Sequence, residues 1–237
     1  MSEPTADQGF FRSRWVEEPR EFEQLDPARL PDGFRAGSVH CGLKADGGTD
    51  LGLLVCDEPG VSSAVLLTRN AAAAAPVRVC RDSLEQSSVR AVVVNSGNAN
   101  AATGEQGLAD ALAMRESAAL ELGVAPATVA VAETGVIGVP MEMDRVLPAI
   151  TGLADSLDQH GGVAFSEAIM TTDKWPKRCT LRSGGVTISA QAKGAGMIEP
   201  GYATMLCFVQ TDALVSRPDP ELRRAVGESF ELSLIHI

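Results

Sequence analysis

Thr204 stands directly before an apolar run, MLCFV, and behind a loop-like stretch, KGAGMIEPGYA, that carries three glycines and a proline. A threonine hydroxyl is a weak nucleophile unless a base lies beside it. Placing the threonine first in a chain supplies that base, because an α-amine with a pKa near ~7.7 is a general base close to working pH. Such a terminus requires cleavage of the Ala203–Thr204 bond. The hydroxyl can do this itself by attacking the Ala203 carbonyl, giving an ester that water hydrolyses. The competing reading is an ordinary turn entering a buried strand, and the residues alone leave both open.

Lys193 lies at the other end of the same stretch. In VTISAQAK the apolar Val186, Ile188, Ala190 and Ala192 alternate with Thr187, Ser189, Gln191 and Lys193. A period of two puts Lys193 on the polar face at the end of a strand, where it suits a carboxylate or simply meets solvent. The three histidines, His40, His160 and His236, are far apart and form no H-x-x-x-H pair, so neither a metal site nor a His-assisted triad is supported. NSGNANAATG follows an apolar strand but lacks G-x-G-x-x-G, and AKGAGM lacks the P-loop pattern. Asn95, Asn98 and Asn100 are read either as a turn rich in side-chain-to-backbone bonds or as a polar loop organising a site at the strand end.

The elements that must position these residues are short. DLGLLVCDE, SSAVLLT and RAVVVNS have strand length and apolar content. NAAAAAPVRVC predicts a short helix begun by the alanines and limited by Pro76. Thr103-Gly-Glu-Gln106 reads as a capping box opening a helix through Leu108, Ala111, Leu112, Ala119 and Leu122, with Gly123 as its stop. TVAVAETGVIG predicts a strand entering a glycine-bearing loop. MEMDRVLPAITGLADSL predicts a helix disturbed in its middle by Pro148, and VAFSEAIM a further turn or two of helix. KRCTLRSGGVTISAQAKG predicts a hairpin about Ser-Gly-Gly. Mixed strands and helices with a hairpin give an α/β sandwich, preceded by a loosely held N-terminal tail to about Leu30.

The chain has 237 residues, enough for a sizeable core, with 45% hydrophobic, 22% charged and only 4% aromatic residues. Its formal charge of -11 argues against nucleic acid or an anionic membrane as the main partner. Five scattered cysteines without C-x-x-C read as reduced thiols, and the first thirty residues lack the apolar core of a signal peptide. The expected location is cytoplasmic.

Several of these segments occur together in a known order. RAVVVNSGNANAATGEQG, TGVIG, AIMTTD, KGAGMIEPGYATML and TDA resemble, in order and approximate spacing, the ornithine acetyltransferase (ArgJ, glutamate N-acetyltransferase) family, over about Gly33 to Phe230. The resemblance implies an ArgJ/DmpA-like α/β sandwich of sheets and helices with a self-processing N-terminal nucleophile. It implies one precursor cleaved between Ala203 and Thr204 into α and β chains that stay together, as a heterotetramer in the family. Residues 1–31 are then an N-terminal extension, 32–203 the α-chain portion and 204–237 the start of the β-chain portion. Thr204 becomes the nucleophile that takes acetyl from N-acetylornithine and passes it to glutamate in arginine biosynthesis. No cofactor is implied, although some members accept acetyl-CoA as donor. Thr134 and Gly135 match the oxyanion-stabilising pair, and Thr171, Lys193 and Thr204 match substrate-binding positions.

The match is imperfect at three places. Glu133 stands where a small serine is common, and Gly201-Tyr202 replaces a longer polar-plus-apolar pair. After ESF the family continues through a segment rich in Asp, Thr and Ser, whereas this sequence reads ELSLIHI, so the chain resembles a C-terminally truncated member. Two alternatives stand beside the acetyltransferase: an N-terminal-nucleophile amidase or specialised-metabolism acetyltransferase of the same fold, and an inactive fragment needing its missing half.

Overall fold

The computed structural model describes residues 21–194, 205–215 and 220–234. In chain order they form β1 (Glu23–Leu25), β2 (Phe34–Val39), β3 (Leu51–Cys56), α1 (Ala75–Ser83), β4 (Ala91–Asn98), α2 (Gly104–Leu122) and β5 (Val129–Val136). There follow α3 (Met143–Ala154), α4 (Gly162–Ala168), β6 (Lys177–Ser183), β7 (Val186–Lys193), β8 (Leu206–Thr211) and α5 (Glu221–Leu234). The strands make two sheets, ordered β2-β3-β4-β5 and β1-β6-β7-β8. β4 and β5 pair in parallel and the remaining neighbours are antiparallel. A parallel pair needs a crossover, and α2 supplies it. No described helix is long and apolar enough to cross a membrane.

The sheet containing β4 and β5 is covered on both faces, which is why its strands read as nearly continuous apolar runs. On one face Leu51, Leu53, Val55, Ala91, Val93, Val129 and Val131 pack against α1, α2 and α3 through Val79, Met114, Ala118, Val146 and Ile150. On the other, Leu54, Val92 and Val94 meet Phe165 and Ile169 near α4, with Leu206 and Phe208 of β8 against them. Phe165 and Phe208 stack edge-on at 5.2 Å between centroids. Alternation then fixes two directions on β5: Val129, Val131 and Glu133 point to the helices, whereas Ala130, Ala132 and Thr134 point to the second sheet.

The β6–β7 hairpin forms as expected about Gly184 and Gly185, whose φ values of 56° and 83° suit a tight two-residue turn. Its orientation is the finding. Thr187, Ser189, Gln191 and Lys193 form the buried face, at most 5% exposed, while Ile188 is 44% exposed. The polar stripe therefore points into the molecule, so Lys193 does not meet solvent.

Four local expectations need correction. Residues 62–68 form no strand: Ser63 anchors the segment instead, bonding Gln86 and Ser87 carbonyls and accepting from the Val89 N–H. Pro76 starts α1 rather than limiting it, since a missing N–H costs nothing in a first turn, and the alanines from Ala71 to Ala74 precede the helix. No capping box forms at Thr103, whose φ of -104° and ψ of 1° point its hydroxyl elsewhere; it donates to Asn100 Oδ1 at 2.6 Å. Residues 23–30 are held in place by the β1–β6 pairing and by fully buried Leu30. Other expectations match. Gly123 ends α2 in the left-handed region, and its N–H caps the Ala119 and Leu120 carbonyls. The helix α3 forms as expected but runs unbroken through Pro148, where a disturbance was expected.

Candidate functional site

At the C-terminal end of β5, Thr134 is buried and points to the second sheet, and Lys193 at the end of the buried face of β7 reaches it. Lys193 Nζ donates to Thr134 Oγ1 at 3.0 Å. Because Thr134 Oγ1 accepts from an ammonium, its own O–H remains available to donate to a third group. Burial holds the Lys193 pKa below its ordinary value, with Lys177 and Lys44 adding repulsion and Asp173 opposing them. A lysine in that position binds an anion more strongly than a solvated one, since a carboxylate relieves both the desolvation and the repulsion.

Gly135 follows Thr134 at φ 140°, opposite Gly97 at φ 121°. A Cβ at Gly135 would lie 2.2 Å from the Gly97 carbonyl carbon, and one at Gly97 would lie 2.8 Å from the Leu43 carbonyl oxygen. The chain thus reserves a close three-layer passage of backbone beside Thr134. The 41–44 loop against Gly97 is itself tied to Asp50, whose fully buried carboxylate accepts four backbone N–H groups, from Cys41, Gly42, Leu43 and Lys44, at 2.6–3.1 Å. Burial alone would raise the Asp50 pKa, but these bonds outweigh it and hold it below the ordinary value.

Thr171 is half-buried and enters the cluster through Asp173, a residue whose role sequence reasoning missed. The Asp173 carboxylate accepts from Gly194 N at 2.9 Å, from Lys177 Nζ, and more distantly from Thr171 N at 3.5 Å. Burial opposes ionisation of Asp173, yet the Lys177 ammonium and the Gly194 N–H win and lower its pKa. The only hint in the sequence was its place at the end of AIMTTD, four residues before a lysine.

Behind β5, on the helix side, Glu133 is 5% exposed and accepts from Asn95 Nδ2 and Asn100 Nδ2, each at 3.0 Å. Burial pushes its pKa up to about 7 from 4.5, with Asp110 adding to the rise and the two asparagines opposing it. The folded state therefore binds a proton that the unfolded chain releases near pH 4.5. Stability is complete below that pH, falls as pH rises to about 7, and is flat above. The loss is on the order of 3 kcal/mol. Denaturant melts of the wild-type chain and Glu133→Gln across this window should show a slope in the first and its disappearance in the second.

The asparagine segment makes the side-chain-to-backbone bonds of a turn, Asn98 Nδ2 bonding the Val139 and Pro140 carbonyls, while Asn95 and Asn100 bond the Glu133 carboxylate. The structure thus gathers Thr134, Gly135 and Lys193, with Thr171 linked through Asp173. Ala203 and Thr204 lie outside the described residues. Two described residues bracket them: Gly194 is held by Asp173, and Leu206 is the cross-strand partner of Lys193.

A sequence model of the ArgJ family matches residues 35–235. The arginine biosynthesis bifunctional protein ArgJ of Symbiobacterium thermophilum is 47% identical over 210 residues, which cover 85% of this chain and 52% of that protein. Its counterpart in Bacillus subtilis is 45% identical over 212 residues, covering 87% and 51% respectively. The chain spans about half the length of the curated relatives it matches. Among solved structures, ornithine acetyltransferase complexed with ornithine from Mycobacterium tuberculosis is similar with a TM-score of 0.71 and 36% identity, over 78% of this chain and 100% of that one. The arginine biosynthesis bifunctional protein of Bacillus halodurans gives a TM-score of 0.67 and 38% identity, over 78% and 98%.

Proposed function

Because the chain belongs to the ArgJ family, we propose that it carries the acetyl-transfer chemistry of arginine biosynthesis, moving acetyl from N-acetylornithine to glutamate through an acetyl ester on Thr204. The observation that carries this reading is the buried contact between Lys193 and Thr134. It sits one strand away from Leu206, two residues beyond the proposed nucleophile and paired with Lys193.

The steps follow from ordinary acyl chemistry. Thr204 Oγ attacks the Ala203 carbonyl, the C–N bond breaks, and water hydrolyses the resulting ester, leaving a carboxylate on Ala203 and a free α-amine on Thr204. That amine takes the hydroxyl proton as Oγ attacks the acetyl carbonyl of the donor. It then gives the proton to the departing ornithine nitrogen. The Thr134 hydroxyl and the Gly135 N–H donate to the oxygen that becomes negative in the tetrahedral intermediate. Lys193 holds a substrate carboxylate, and Thr171 lines the same pocket. The amine of glutamate attacks the acetyl ester and frees Thr204. Acetyl-CoA fits the same first half-reaction as an alternative donor. The α and β chains act together, and the setting is the cytoplasm.

Replacing Lys193 with methionine keeps the length of the side chain and removes its charge. We expect kcat/KM for N-acetylornithine to fall about tenfold to a hundredfold, the usual cost of a lost charged hydrogen bond. Initial rates over a donor series check this. The function itself is tested by following labelled acetyl from N-acetylornithine in the presence of glutamate. Appearance of N-acetylglutamate together with equal ornithine supports it; release of free acetate alone would make the chain an amidase instead.

A further inference from the structure

The proposed donor pair Thr134–Gly135 lies at the end of β5, and the turn that follows it is set from behind. Ala99 N donates to Val136 O, and Gly138 N donates to Ala101 O, both at 2.8 Å. These two bonds fasten the 136–138 backbone to residues 99–101, in the crossover from β4 to α2. That crossover is not relaxed chain: Asn100 and Ala102 are both in the left-handed region, at φ 45° and 58°. A non-glycine residue stays there only when its surroundings hold it.

What holds it is Asn100, fully buried and bonded at every polar atom of its side chain. Asn100 Nδ2 donates to Glu133 Oε1 and to Gly107 O, the latter at 2.7 Å, and Asn100 Oδ1 accepts from Thr103. Its backbone N–H donates to Asn98 Oδ1 at 2.8 Å. The second oxygen of Glu133 takes Asn95, its register partner on β4. One carboxylate therefore joins β4, β5 and the crossover at the point where β5 delivers Thr134 and Gly135.

We propose that Glu133 is a positioning residue: through Asn95 and Asn100 it fixes the 99–101 backbone, and with it the turn that presents the Thr134–Gly135 donor pair. The catalytic meaning of that pair rests on the function proposed above; the positioning does not. Glutamine can replace Glu133 in this role. Its oxygen accepts from Asn100, and its amide can donate to Asn95 Oδ1, which is buried without a partner, once the Asn95 amide turns over. Alanine cannot make either bond. Aspartate, one methylene shorter, cannot reach both asparagines.

Amide hydrogen exchange on the intact chain tests this, at a pH above the Glu133 titration, with Val93 and Val131 as controls for global opening. In Glu133→Ala and Glu133→Asp, Ala99 and Gly138 should exchange at least about tenfold faster relative to the controls. In Glu133→Gln they should stay near wild type. Unchanged protection of Ala99 and Gly138 in both Glu133→Ala and Glu133→Asp would overturn the proposal, as would a glutamine variant as loose as alanine. Should alanine fail to fold, aspartate and glutamine decide the matter. Cleavage at Ala203–Thr204 is read on the same samples. If it slows about tenfold with alanine and recovers with glutamine, the turn serves catalysis. Absence of cleavage in every sample, wild type included, counts against the proposed function and leaves the exchange result to judge the positioning.

Discussion

Thr204→Ala is expected to remain a single polypeptide of 24.8 kDa, whereas the wild-type chain yields one fragment ending at Ala203 and another beginning at Thr204. The expected loss is at least about a thousandfold in cleavage rate, because the cleavage needs an attacking hydroxyl and alanine has none. Alanine is the conservative choice, since it removes the hydroxyl and adds no new group. Serine should retain measurable cleavage, because it keeps the attacking oxygen. Cleavage of the alanine variant at the wild-type rate, read by denaturing mass analysis, would assign the event to a contaminating protease.

Thr134→Val should leave the chain folded and slow both cleavage and acetyl transfer by about a hundredfold to a thousandfold, the range observed when one oxyanion donor is removed. Valine matches threonine in shape, so the packing of β5 against the second sheet is kept. Two groups lose a partner: the developing oxyanion, which keeps only the Gly135 N–H, and Lys193 Nζ, which loses the acceptor it now has at 3.0 Å. The second effect costs stability, because an unsatisfied buried polar group carries a penalty of about 1–3 kcal/mol, and a charged one more. Single-turnover rates measured well below the melting temperature separate the two. A variant that transfers acetyl at the wild-type rate would remove Thr134 from the mechanism.

The parts of the fold that were legible are those fixed by short-range rules. The Gly184-Gly185 turn, the helical stop at Gly123 and the apolar runs of β3 and β4 each follow from local sterics or periodicity. The alternation along β7 was legible as alternation, but not in its direction. A period of two says which residues share a face. It does not say which face a second sheet will cover, and here the polar face of Thr187, Ser189, Gln191 and Lys193 is the covered one. Pro76 and Thr103 failed for a related reason: each residue has two uses at a helix end, and here Pro76 takes the first turn while the Thr103 hydroxyl goes back to Asn100.

Much the same holds for the site. Thr134 and Lys193 are 59 positions apart and meet only because two sheets pack face to face, so no spacing rule joins them; the family resemblance did. Asp50 escaped notice because its carboxylate is held by backbone N–H groups, which leave no signature in a sequence, and Asp173 because its link to the site runs through the Gly194 N–H. Glu133 was visible as an oddity before TGVIG. Its two amide partners explain how a carboxyl can sit buried beside Thr134.

The acetyl-threonine intermediate can be caught by peptide mass analysis after incubation with N-acetylornithine. The chain is quenched in acid before any glutamate is added, then digested and compared with a sample chased with glutamate. One acetyl group is expected on the peptide that begins with Thr204, absent from Thr204→Ala and removed by the chase. An acetyl group on Lys193 or any other residue that survives the chase, with the Thr204 peptide unmodified, would contradict it.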